Sequence, residues 1–485
     1  MNRYYVACDL GAECGRVLLG TLHRDQLTIS EVRRFPNAPV QEKNSLVWNV
    51  SGWHAEILAA LRDIGAYEEP VDGLSCSSWP ADYLLFTPGG SLLEPAYHHD
   101  DPRAQAGMSD TLSAIPWESL YEETGVHQRP ANTIFQLAAE KPRRLKHSRL
   151  LPVADGIHYM LCGVPRAEMS LASATQLFNP VTRAWSERLL KALRLPPGLL
   201  PAIVPAGTVL GALRPEILRE TRLEDAQVVA SCSHELAAAL AGLPAARGES
   251  WAFLRVAPRA TMGTELIGPI ISDTSRDLDY TNEAGCGGSV RFSKQVVGLW
   301  VLDECKRFWK ERDRELYDDV LTHLAISAPP FESLIDPADS RFRTPGDMPL
   351  KIQAFCKETG QPVPRKPGPI LRCVLESLAL QYRKTLEEIE GLTGRRFTRL
   401  FLLNGSGSPL LCHFIANALQ LPVALAPADA TAIGNVIVQA LALGHLESLD
   451  QARDLVRTSF RMETITPRAA VWNAAYDRLA ELVTA

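Results

Sequence analysis

YYVACDLGAECGRVLLGTLHRDQLTISEVRRF, residues 4–35, sets the fold. YYVACDL (4–10) is an apolar run closed by Asp9 and Leu10, and GAECGR is a glycine-flanked turn. VLLGTL and QLTISEVRRF then read as two further strands. Three strands joined by short turns predict an antiparallel meander. Downstream, WHAEILAALRDIGAY (53–67) carries apolar residues at helical spacing and VDGLSCSS (71–78) reads as a buried strand. The order β-β-β-α-β predicts a mixed sheet covered by helices, an α/β fold.

The plan recurs later in the chain. WAFLRVAPRATMGTELIG (251–268) starts a second sheet, and RLFLLNGSGSPLLCHFIANALQLPVALAP (399–427) alternates strand, glycine loop, helix and strand. The small and polar stretch LPAARGES (243–250) separates the two starts. At 485 residues the chain is longer than one core usually fills, so two duplicated α/β lobes facing each other across a ligand cleft are expected. The lobes are assigned to residues 1–243 and 244–485. CKRFWKERDRELYDD (305–319) reads as a solvated, charge-dense helix without chemistry.

Composition excludes several classes of partner. Apolar residues make up 46% and charged residues 22%, and the formal charge of -6 argues against a nucleic-acid partner. The charge-free stretch from Leu400 to Ala428 is broken by Asn404, Gly405, Pro409, His413, Asn417, Gln420 and Pro422, so no membrane partner is expected. LPPGLLPAIVPAGTVLGAL is interrupted by prolines. The start lacks an apolar run followed by a small-residue cleavage site. Ten cysteines without a CxxC pair suggest reduced thiols and a cytoplasmic protein.

Six short stretches could carry chemistry. In DLGAECGR (9–16) a tight turn can offer backbone N–H groups to phosphate, while Asp9 can hold hydrated Mg²⁺ and Arg16 adds positive charge. An ordinary hairpin fits the same residues. SSWPADY (77–83) supplies Trp79 as an apolar wall for a sugar ring and Asp82 as a hydroxyl acceptor. AYHHDDPRA (96–104) is expected to form an Asp101–Arg103 ion pair rather than a metal site, because adjacent residues rarely converge on one ion. In SCSHELAAAL (231–240), Ser233 reads as the N-cap of a buried helix and Glu235 suits its first turn. LNGSGSPLL (403–411) and PADATAIGN (427–435) place glycines where backbone could approach a flat base closely.

Together these stretches resemble the FGGY carbohydrate kinases, and among them the rhamnulokinases. NTIFQLAAE, ASATQLFNPVTRAWSERLL and TNEAGCGGSVRFSKQVVGLWVLDECKRFW extend the likeness over nearly the whole chain in the family's order. The resemblance implies two ribonuclease-H-like lobes of the actin/hexokinase type, the sugar on the N-terminal lobe and ATP with Mg²⁺ on the C-terminal lobe. It implies transfer of the ATP γ-phosphoryl group to a ketose such as L-rhamnulose, by a monomer or homodimer with small-molecule partners only. Glu235 falls where the family has its catalytic aspartate; Trp79, Asp82 and His234 fall in the sugar site. Asp9, Gly11 and Arg16 fall in the first phosphate loop, with Asp9 on the metal, and Gly405 and Gly434 face adenosine. The ATP side departs from the pattern. Ala257 and Pro258 replace the glycine and threonine of the second phosphate hairpin, with Arg259 as a compensating charge, and Asn404-Gly405-Ser406 replaces a glycine triplet. An alternative expectation is therefore a catalytically impaired sugar-binding relative that acts as a sensor or partner protein.

Overall fold

A computed structural model of the chain describes residues 2–11, 14–67, 69–312, 316–403, 408–468 and 471–484. Strand β1 (Asn2–Leu10) pairs antiparallel with β2 (Cys14–His23), and β2 with β3 (Gln26–Pro36), so the meander forms. Side chains alternate across a strand. Tyr4, Val6, Cys8 and Leu10 accordingly enter one core, and Tyr5 and Ala7 another.

Helix α1 (Val50–Gly65) is capped by Asn49, which accepts the Gly52 N–H at 3.0 Å, and it buries Trp53, Ile57, Leu61 and Ile64 on one face. Strand β4 (Val71–Ser78) follows and runs parallel to β1. Helices α2 (Val153–Cys162) and α3 (Met169–Ala174) lead to β5 (Thr208–Ala212) and β6 (Gln227–Ala230). The sheet order is β5-β6-β4-β1-β2-β3, with β6 parallel to β4. Helix α4 (Glu235–Ala241) comes next.

The second sheet starts with the antiparallel hairpin of β7 (Trp251–Arg255) and β8 (Arg259–Leu266). Helix α5 (Trp300–Lys310) and the long α6 (Pro367–Thr393) precede β9 (Arg399–Leu403), α7 (Pro409–Leu419) and β10 (Val423–Leu425). Strand β9 runs parallel to both β7 and β10, the expected strand-helix-strand plan. The single charged helix expected over 305–319 is not what forms. Helix α5 ends at Lys310, just after its last buried side chain, Trp309, and another helix starts at Asp318.

Helix α8 (Ala430–Ala442) returns to the first sheet. Gln439 Nε2 donates to the Val6 carbonyl at 3.0 Å, and Ile433, Val436 and Ile437 join Tyr5, Ala7 and Leu18 in one core. One compact unit therefore comprises Met1–Arg247, Glu265–Phe292 and Asp429–Arg461, and the other Gly248–Thr264, Ser293–Ala428 and Met462–Ala485. The first crossing lies within LPAARGES, but a single cut at 243/244 does not describe the units, because the α8 segment packs where the first sheet offers an apolar face. Among the described residues no helix is long and apolar enough to cross a membrane, and the ten cysteines form no disulfide.

Candidate active site

Strand register assembles the site. Pairing of β1 with β4 sets Asp9 opposite Ser77 and Leu10 opposite Ser78, and pairing of β1 with β2 sets Asp9 opposite Arg16. Beyond β6 the chain bridges to the end of β4: Ser78 pairs with His234, and its N–H donates to the Ser233 carbonyl at 2.8 Å. Asp9, Ser77 and residues 233–235 thus share the carboxyl-terminal edge of the parallel strands. Open α/β sheets bind ligands at that edge.

Asp9 is buried and salt-bridged to Arg16 at 2.7 Å, while the second terminal nitrogen of Arg16 meets Asp429 at 2.7 Å. Burial pushes the Asp9 carboxyl above its ordinary range; Arg16 opposes this, and the charges of Glu235 and Asp429 add to it. Two carboxylates on one guanidinium, with a third, Glu31, 4.0 Å from it, leave an excess of hard oxygen donors. That donor set fits Mg²⁺. Gly11 closes the β1–β2 turn by donating its N–H to the Cys14 carbonyl at 3.0 Å, so this amide is not offered to phosphate as the sequence suggested. A Cβ on Gly11 would stand 3.1 Å from the same oxygen, which explains the glycine. Ala12 and Glu13 lie outside the described residues.

Helix α4 is capped by His234, one residue later than expected. His234 Nδ1 accepts the Leu236 N–H at 3.1 Å, while Ser233 instead donates its hydroxyl to Asp155 at 2.8 Å. The other edge of the buried His234 ring lies 2.9 Å from the Arg291 guanidinium and 3.5 Å from Glu283, and these two are themselves ion-paired. Glu235 follows directly, half-buried.

Asp82 is a buried hub. Its Oδ2 accepts from Trp48 Nε1 at 2.7 Å, Trp79 Nε1 at 2.8 Å and His99 Nδ1 at 2.8 Å, and its Oδ1 from Gln136 at 3.2 Å. Burial alone would raise its pKa, but His99 and the two indoles outweigh burial and hold the carboxyl below the usual range. Oδ2, with three donors, has no lone pair left, whereas Oδ1 takes only Gln136 and keeps acceptor capacity. Trp79 packs at 4.6 Å from the Trp48 ring and 5.7 Å from the Trp53 ring. His98, His99 and Asp100 each bring a ligand atom within 4.8 Å of the others. The two imidazoles stack at 4.1 Å and 24°, and His98 Nδ1 accepts the Asp100 N–H at 2.9 Å. Near-parallel rings aim their in-plane lone pairs side by side, so no metal is assigned there. Asp101 and Arg103 lie 4.0 Å apart, with Arg103 also 3.3 Å from Glu140.

In the second unit, the β7–β8 turn is seated on the start of α5. The Ala257 carbonyl accepts the Leu299 N–H at 2.9 Å and the Pro258 carbonyl accepts the Trp300 N–H at 3.3 Å. Pro258 has no N–H to give. Arg259 is exposed at the start of β8. Gly405 lies outside the described residues. Gly434 belongs to a helix, not a loop, and its expected contact with adenosine is replaced by packing. A Cβ there would come 1.7 Å from the Ala238 carbonyl of α4, and one on Gly242 would come 2.5 Å from the Ala430 carbonyl. Reading the motifs by their named residues missed Asp429, His99, Glu283 and Arg291, although each stands inside a stretch quoted above.

The two α/β units define a sugar-kinase fold of the actin/hexokinase type. The chain superposes on a xylulose kinase from Lactobacillus acidophilus with a TM-score of 0.82 at 14% identity, covering 99% of this chain and 98% of that one. A Plasmodium falciparum glycerol kinase with ADP gives a TM-score of 0.80 at 11% identity, covering 99% and 97%. The chain belongs to the FGGY family of carbohydrate kinases: the family's N-terminal domain matches residues 4–242 and its C-terminal domain residues 260–443. Similar relatives are a rhamnulokinase of Bacteroides thetaiotaomicron, 34% identical over 485 residues and 98% of each chain, and one of Enterococcus faecalis, 34% identical over 467 residues, 95% of this chain and 94% of that one.

Proposed function

We propose that the protein transfers the γ-phosphoryl group of ATP to a hydroxyl of L-rhamnulose or a closely similar ketose, with Glu235 as the base. The observation that carries this reading is the strand register that sets Asp9 and the turn leading into Glu235 at one carboxyl edge of the first sheet. The names of the relatives supply the sugar. As the sugar oxygen attacks phosphorus, the new O–P bond forms, the bond to the ADP oxygen breaks, and the hydroxyl proton passes to the Glu235 carboxylate. Mg²⁺ when bound neutralises phosphate charge; Asp9 would hold it, with Arg16 opposing the burial that raises the Asp9 carboxyl. Trp79 and the half-buried His99, oriented by Asp82, form a wall for the sugar together with the His234 loop. Arg259 and Gly405 serve ATP. Glutamate in place of aspartate displaces the carboxylate by roughly 1 Å, and a shift of that size can cost about 100-fold in rate. Turnover is therefore slow, in the cytoplasm where ATP is at hand.

ADP formation measured with Mg²⁺ over a panel of ketoses and aldoses tests the reading. L-rhamnulose is expected to give the highest kcat/KM. No sugar-dependent ADP at high enzyme concentration overturns it.

A further inference from the structure

Against the loop that carries Glu235 lies a buried polar cluster. Glu168, 1% exposed, stands just before α3. Its Oε1 accepts the Ser170 N–H at 3.0 Å, and its Oε2 accepts both the Ser170 hydroxyl and, at 2.9 Å, the Ser233 N–H. The Ser170 hydroxyl oxygen in turn accepts the His234 N–H at 3.0 Å. Asp155 of α2, also 1% exposed, accepts the Glu168 N–H on one oxygen at 2.9 Å and the Ser233 hydroxyl on the other at 2.8 Å. Two consecutive backbone amides and one hydroxyl are thus fixed by side chains from two other helical segments. The next residue is Glu235.

We propose that Glu168 is a positioning residue for Glu235: through Ser170 and the amides of Ser233 and His234, it fixes the backbone from which the base reaches the attacking hydroxyl. This rests on the reading of Glu235 as the base. The physical need is specific. A buried amide left without an acceptor costs more than the net value of one hydrogen bond, so two carboxyl groups are kept together here. A base displaced by about 1 Å loses on the order of 100-fold in rate. Glutamine at 168 retains the shape but presents an NH₂ group where an oxygen accepts, setting donor against donor. Alanine at 170 removes the hydroxyl that accepts the His234 N–H and donates to Glu168, and leaves both carboxyl groups in place.

The test measures sugar-dependent ADP formation and peptide-level amide exchange on the full-length wild type, Glu168→Gln and Ser170→Ala. Both variants are expected to lose kcat by roughly tenfold or more with the sugar KM changed less than about threefold. Glu168→Gln is expected to add nothing in a Glu235→Ala background. Amides in residues 231–236 are expected to exchange faster, with β1, β3 and α1 unchanged. Unaltered kcat in both variants, an equal loss in the Glu235→Ala background, or unchanged exchange at 231–236 would each overturn the proposal. A wild type with no turnover on any sugar defeats the kinase reading alone, and exchange then still decides whether the clamp exists. Should Glu168→Gln fail to fold, Ser170→Ala carries the test.

Discussion

The β1–β2 and β7–β8 hairpins begin alike, each an apolar strand running into a short turn, and they end differently. The first closes on a glycine and sets an aspartate across from an arginine, which is bound a second time by Asp429. The second closes on Ala257 and Pro258 and turns its carbonyls toward the start of α5. The lesson is that the first hairpin carries an ion-paired cluster of charge, while the second is held by its carbonyls and has no N–H to give at Pro258. In Asp9→Asn, Arg16 faces Asp429 without its stronger partner, and kcat is expected to fall by about 100-fold or more, checked by initial rates over a Mg²⁺ titration. An unchanged rate would mean that the two hairpins do not differ in this way. The double change Ala257→Gly with Pro258→Thr restores one N–H and the glycine, and a drop of about fivefold in the ATP KM is expected, one hydrogen bond being worth roughly 1 kcal/mol. Should KM stay put, the second hairpin does not reach the nucleotide.

Smaller effects appear in stability against pH, and they oppose one another. Asp82 has its folded pKa below the usual value, so its contribution is present above about pH 4 and lost as pH falls through the folded pKa. Glu168 is raised by burial, then by Asp155, from the ordinary 4.5 to about 8. Its contribution is complete below pH 4.5 and lost as pH rises to about 8. Thermal unfolding should therefore show Asp82→Asn with a shallower decline in Tm on the acid side, and Glu168→Gln with a shallower decline between pH 5 and pH 8. Differences of about 2–4 °C are expected in each case. Parallel Tm profiles for wild type and variants would contradict the assigned directions.

The meander, α1 and β4 were legible because their periods of 2 and 3.6 survive in residues 4–78, where local pattern and tertiary burial agree. Asp9 and Arg16 were legible for the same reason, as they end paired strands. Gly434 was misread because a glycine that permits two helices to touch looks, in sequence, like one that opens a loop; only the Ala238 carbonyl distinguishes them. The hub role of Asp82 was not legible because the indoles of Trp48 and Trp79 and the His99 imidazole that fill its Oδ2 come from three separate stretches. His234 takes the cap that Ser233 seemed to offer, since Asp155, far off in sequence, claims the serine hydroxyl. Glu168 left no signal, because AEM between a loop and a helix has no recognisable spacing.

The base is tested most directly by single-turnover and steady-state rates of Glu235→Ala and Glu235→Asp beside the wild type, with L-rhamnulose and saturating ATP-Mg²⁺. Alanine is expected to lower kcat by about 10²–10⁴-fold with little change in the sugar KM, and aspartate to match or exceed the wild type. A Glu235→Ala protein that turns over at the wild-type rate would contradict the assignment.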